Sequence, residues 1–85
     1  MKRLPLYLQN LCIQNVATIF ASFQDPDMRG PKFEWYNFPE FAAKRCERQY
    51  ILNSKNEISE SNITLVHDFG LKFTTKLLNE SKLVK

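Results

Sequence analysis

Eighty-five residues leave room for one small domain or part of one, because a chain this short buries only about 60% of the surface it exposes when unfolded. A hydrophobic fraction of 44%, a charged fraction of 25% and only 2 glycines exclude a disordered polar tail, a collagen-like repeat and a Gly/Ser linker. The net charge of +3 is scattered rather than gathered in a block, so basicity by itself names no nucleic-acid or membrane partner.

The start, Met1-Lys2-Arg3-Leu4-Pro5-Leu6, has the charge and first leucines of a secretory signal, but Gln9, Asn10, Gln14 and Asn15 interrupt the apolar run. No stretch approaches 18 apolar residues, so no membrane span is predicted. Cys12 and Cys46 match no C-x-x-C or zinc spacing and sit in apolar stretches, which makes them core thiols of a reduced, intracellular protein. Between Leu11 and Phe23, Val16, Ile19, Phe20 and Phe23 fall at i, i+3, i+4 and i+7 and define one apolar helical face. Gln24-Asp25-Pro26-Asp27 ends that helix in a turn.

From Met28 to Asn37, around Gly30-Pro31, an ordered loop is expected. Its three rings, Phe33, Trp35 and Tyr36, either cap the core or offer a docking surface. A second helix runs from Pro39 to about Leu52, with Glu40 in its first turn and Ala42, Cys46 and Tyr50 repeating at i+4, joined inside by Phe38 and Phe41. After a polar loop at Asn53–Glu57, the Ser59 hydroxyl is placed to cap a third helix by accepting from the N–H of Asn62. Ile63, Val66 and either Phe69 or Gly70 face its core, and Gly70 supplies a stop before a fourth segment, Leu71 to about Leu83, striped by Phe73, Leu77 and Leu78. An offset of 47 lays Leu11 on Ile58, Asn15 on Asn62, Val16 on Ile63 and Ile19 on Val66. The expected fold is therefore all-α, a single domain of about four helices in two stacked hairpins, roughly 6–52 and 58–84, with a neighbour covering what so few units leave exposed.

The phrase Ile58-Ser59-Glu60-Ser61-Asn62-Ile63-Thr64-Leu65-Val66-His67-Asp68-Phe69-Gly70-Leu71, preceded by Cys46-Glu47-Arg48-Gln49-Tyr50-Ile51-Leu52, resembles the BACK-type hairpins that follow a BTB fold. Leu11-Cys12-Ile13-Gln14-Asn15-Val16 and Phe38-Pro39-Glu40-Phe41 look like a first copy, so the likeness spans about 11–78. The resemblance implies a scaffold segment of a substrate adaptor for a cullin-RING ubiquitin ligase, without catalysis, whose partner is a neighbouring domain, a complex subunit or a cullin scaffold. The BTB fold itself is absent from these residues, and the stretch from Gln24 to Asn37 is longer than the family's usual connection. Leu8, Cys12 and Val16 are similar to the box by which some ubiquitin-ligase adaptors bind elongin C, although Tyr7 departs from it and core packing accounts for the same i+4 spacing.

Catalytic, cofactor and metal sites are not predicted. His67 is the only histidine, two isolated glycines make no phosphate loop, and neither thiol has a base beside it in sequence. Lys44, Arg45 and Arg48 cluster on the second helix near Trp35 and Tyr36, so the candidate partner-binding residues are Phe33, Trp35, Tyr36, Lys44, Arg45 and Arg48. Glu40 and Glu47 dilute that charge, which leaves nucleic-acid binding as the second reading behind protein interaction. Where the three cations point separates the two readings.

Overall fold

The computed structural model describes residues 3–25, 27, 34–54 and 58–82. Pro5, extended at φ −54° and ψ 148°, stands just before helix α1 (Leu6–Phe23), and its carbonyl accepts from the N–H groups of Leu8 and Gln9 at 3.0 Å. A 3-10 turn at Trp35–Asn37 leads into α2 (Phe38–Asn53), where Pro39 in the first turn has no N–H to leave unpaired and Glu40 meets the positive end of the helix. The last helix, α3, runs from Glu60 to Ser81 and ends on Lys82 in the left-handed conformation, φ 61°. Among the described residues there is no strand.

Residue pairing fixes the topology. Cys12 meets Cys46 and Phe23 meets Phe38 and Phe41, so α1 and α2 are antiparallel; Tyr50 meets Asn62, and Glu47 meets His67, so α3 reverses again. The three helices form an up-down-up bundle of 38 × 25 × 18 Å, whose long axis matches the roughly 33 Å rise of a 22-residue helix.

Each helix buries a row of residues four apart. These are Leu4, Leu8, Cys12 and Val16 with α1, Phe38, Ala42, Cys46 and Tyr50 on α2, and Val66, Gly70, Thr74 and Leu78 on α3. Such rows are ridges inclined to the helix axis, and they interdigitate with ridges of the same kind. The expected face of α1 is thereby rotated: Val16 is buried, but Ile19, Phe20 and Phe23 are only partly covered, and Leu8 and Cys12 take the central places. The Leu8-Cys12-Val16 trio is the core of its own bundle and presents nothing to an outside groove.

The all-α expectation holds, but the arrangement of four helices in two hairpins does not. The third and fourth segments are one continuous helix, and the stop assigned to Gly70 is absent. Gly70 lies inside α3, and no described glycine has positive φ. Glycine within a helix costs about 1 kcal/mol relative to alanine. Close approach explains why it is there: a Cβ on Gly70 would stand 2.9 Å from the Ala43 Cα. Thr74, a β-branched residue of low helix propensity, donates its hydroxyl to the Gly70 carbonyl and so enters the core with its polar atom paired. The offset of 47 fails with the second hairpin, since it equates fully buried Val16 with partly buried Ile63 and the two segments expected to form that hairpin are one helix.

Candidate functional site

At 100° per residue, the buried row of α2 fixes which side chains must face outward. Phe41, Lys44, Arg45, Arg48, Ile51 and Leu52 fall within an arc of about 120° on the opposite side. All six are exposed, Phe41 at 42%, Ile51 at 43% and Leu52 at 68%. Phe41 was expected inside; the row through Phe38, Ala42 and Cys46 leaves it at the rim, edge-on to Phe23 at 5.3 Å with its outer side uncovered.

The two acids expected to dilute this charge are turned toward α3. Glu47 Oε2 lies 3.0 Å from His67 Nδ1, and Glu40 Oε1 lies 3.6 Å from His67 Nε2. The imidazole sits between carboxylates two turns apart on α2, and its Nδ1–H donates to Glu47. The outward stripe is left with three cations, three large apolar side chains and no acid. The cross-helix position of His67, 20 residues from Glu47, has no local sequence signal; the outward position of Ile51 and Leu52 does, once Ala42, Cys46 and Tyr50 are taken as the inner row.

Of the other candidate residues, Trp35 is partly buried, its ring 5.5 Å from Phe20 and 5.4 Å from Phe38, so it covers the end of the core. Tyr36, beside it, is 69% exposed. Phe33 lies outside the described residues. Tyr36 stands two residues before α2, in the same 3-10 turn as Trp35, so neither ring shares the helix that carries the three cations.

At the other end of α2, the Tyr50 hydroxyl accepts from Asn62 Nδ2 at 3.3 Å and from the Ser59 N–H at 3.4 Å. These donors, Asn62 first, hold the phenol below its usual pKa near 10.0 against the opposing effect of burial. Ser59 is the residue preceding α3, as expected, but its hydroxyl bonds Ser61 Oγ at 2.8 Å instead of capping the helix, and Asn62 is engaged by Tyr50. Both thiols are buried, and that of Cys46 is pushed up, first by its hydrogen bond with Cys12 and then by desolvation.

Among the described residues, no group of three or more His, Cys, Asp or Glu side chains could hold a metal ion, and no helix is long and apolar enough to cross a membrane. A surface depression lined by Leu71, Lys72, Thr75, Lys76, Asn79 and Glu80 belongs to one helix and has no opposing wall. No family model matches this sequence, and no curated protein or solved structure is similar to it.

Proposed function

We propose that this chain is a non-catalytic protein–protein interaction domain acting inside the cell, and that the outer stripe of α2 docks an acidic segment carrying apolar anchors. The reading rests on one observation: Lys44, Arg45 and Arg48 share a single exposed stripe with Phe41, Ile51 and Leu52, while His67 draws Glu40 and Glu47 to its edge. Exposed aliphatic side chains gain by burial against apolar groups, at about 25 cal/mol per Å², and cations on the same helix steer and orient an acidic partner. An amphipathic helix with Leu or Phe at i and i+4, flanked by Glu or Asp, answers both features. The BACK resemblance makes a ubiquitin-ligase adaptor the complex to test, with a cullin scaffold or a neighbouring domain as the partner that supplies the segment.

Nucleic-acid binding is the second reading, favoured by the three exposed cations and the exposed rings of Tyr36 and Phe41. It ranks lower because Ile51 and Leu52 have nothing to gain from phosphate, and three cations make a small electrostatic footprint. The test is fluorescence anisotropy with a labelled acidic amphipathic peptide, its scrambled counterpart and random-sequence DNA. Protein docking requires the ordered peptide to bind best and the triple variant K44E/R45E/R48E to lose it. Tighter binding to DNA, with log K falling about threefold as steeply as log salt rises, would reverse the ranking. Recovery of ubiquitin-ligase subunits with the wild-type chain but not with the triple variant would support the adaptor assignment.

A further inference from the structure

Cys12 and Cys46 are the only cysteines, 34 positions apart in sequence, yet they occupy one layer of the core at 1% and 0% exposure. The Cys46 thiol donates to the Cys12 carbonyl oxygen at 3.9 Å, and the two side chains are near enough for each to shift the other's ionisation. Burial alone would be the ordinary fate of a core cysteine. Two buried thiols brought to one place in the core, on different helices joined by a long connection, form an arrangement with its own chemistry.

We propose that this pair is a peroxide-sensitive staple, in which a hydroperoxide converts the two thiols into a disulfide that ties α1 to α2. In the first step the Cys12 sulfur attacks one peroxide oxygen. The O–O bond breaks, a sulfenic acid forms, and the departing hydroxide takes up the thiol proton as water. In the second step the Cys46 sulfur displaces that hydroxyl. The S–O bond breaks, the S–S bond forms, and the Cys46 proton leaves with the hydroxyl as a second water. Two electrons pass from the thiols to the peroxide, and nothing else is consumed. Cys12 reacts first because the Cys46 S–H stabilises a thiolate there, whereas Cys46 is held protonated. A hydroperoxide is the fitting oxidant class because a core this closed has no room for the mixed-disulfide intermediate that a larger disulfide reagent must form.

The consequence is structural. A bond between residues 12 and 46 closes a loop holding the whole connection between the first two helices, and it removes from the unfolded chain the freedom of that loop. In a reducing compartment such a pair rests as thiols and closes only under oxidant.

The test exposes the folded, full-length chain to hydrogen peroxide, quenches it by alkylation under denaturing conditions, and reads intact mass, a peptide map and the melting temperature. The expected result is loss of two hydrogens, one cross-linked peptide pair joining residues 12 and 46, full reversal by a phosphine reductant, and a melting temperature raised by on the order of 10 °C. Thiols that remain fully alkylatable, stable addition of oxygens to either cysteine, a disulfide between two chains, or a lowered melting temperature would each overturn the proposal. Variants C12S and C46S give the second arm: with one thiol left, peroxide must neither remove two hydrogens nor raise the melting temperature. A rise in either variant would assign the stabilisation to something other than the staple.

Discussion

Against α1, the second helix presents Phe38, Ala42 and Cys46, answered by Phe20, Phe23 and Cys12; against α3 it presents Ala43, Glu47 and Tyr50, answered by Gly70, His67 and Asn62. The first seam is made of large rings and apolar atoms. Phe38 alone contacts Phe20, Phe23, Trp35 and Phe41 at centroid separations between 5.4 and 6.4 Å, mostly edge to face, the geometry that ring quadrupoles favour. The second seam is made of absence: small residues bring two backbones together, and polar side chains at its ends fix the register. One helix thus has two sides that fail in different ways, the first when volume is removed and the second when it is added.

Removing volume from the first seam carries the largest expected effect. Phe38→Ala takes out the ring at the centre of the aromatic cluster, and urea denaturation is expected to show a loss of about 3–5 kcal/mol. A loss under 1 kcal/mol would mean that the surrounding rings collapse into the gap and that the cluster is not a packed unit.

Adding volume to the second seam comes next. Gly70→Ala places a methyl 2.9 Å from the Ala43 Cα, which is backbone and cannot swing aside. Overpacking of about 1–3 kcal/mol, less about 1 kcal/mol of helix propensity gained, leaves a net loss of about 0–2 kcal/mol by the same measurement. The double variant with Ala43→Gly sharpens the point. It removes the Ala43 Cβ, at 3.4 Å, but leaves the Cα in place, so stability should not return; recovery would show that side-chain volume rather than backbone approach sets the distance.

Tyr50→Phe removes the acceptor shared by Asn62 Nδ2 and the Ser59 N–H. The expected loss is about 1 kcal/mol, with faster hydrogen exchange at Ser59 as its local signature. The same group sets a pH dependence. Its folded pKa lies below the usual phenol value, so its contribution to stability is fully present above the unfolded pKa and is lost as pH falls through the folded value. Absorbance near 295 nm should show one of the three tyrosines ionising early, and Asn62→Ala should delay it.

The smallest effect on stability belongs to the three cations on the outer side of α2. Replacing Lys44, Arg45 and Arg48 with serine should change stability by no more than about 0.5 kcal/mol per position, since all three are exposed. Binding of the acidic peptide should nonetheless be lost, and a variant that unfolds instead would move these residues from recognition to structure.

The end of α1 and the start of α2 were legible from local chemistry: the turn residues after Phe23, Pro39 at a helix start, and the i+4 repeat of Ala42, Cys46 and Tyr50 all act within a turn or two. The candidate face was half legible. Lys44, Arg45 and Arg48 are visible as a cluster, but Glu40 and Glu47 read as neutralising neighbours until His67, 20 residues beyond Glu47, pulls them aside. The apolar members were obscured because Phe41 fits a helical stripe as well as Phe38 does.

What the amino-acid order determined by itself is the all-helical character and the inner row of the second helix, because hydrogen bonding and periodicity are settled over four residues at a time. What only the tertiary structure decided is that Gly70 joins two segments instead of ending one, that Cys12 meets Cys46, and which face of each amphipathic helix is inside. The physical reason is the same in each case. A glycine lowers helix propensity by an amount that one close backbone contact can offset, and contacts between distant residues depend on how three tilted ridges mesh, which no window of a single helix contains.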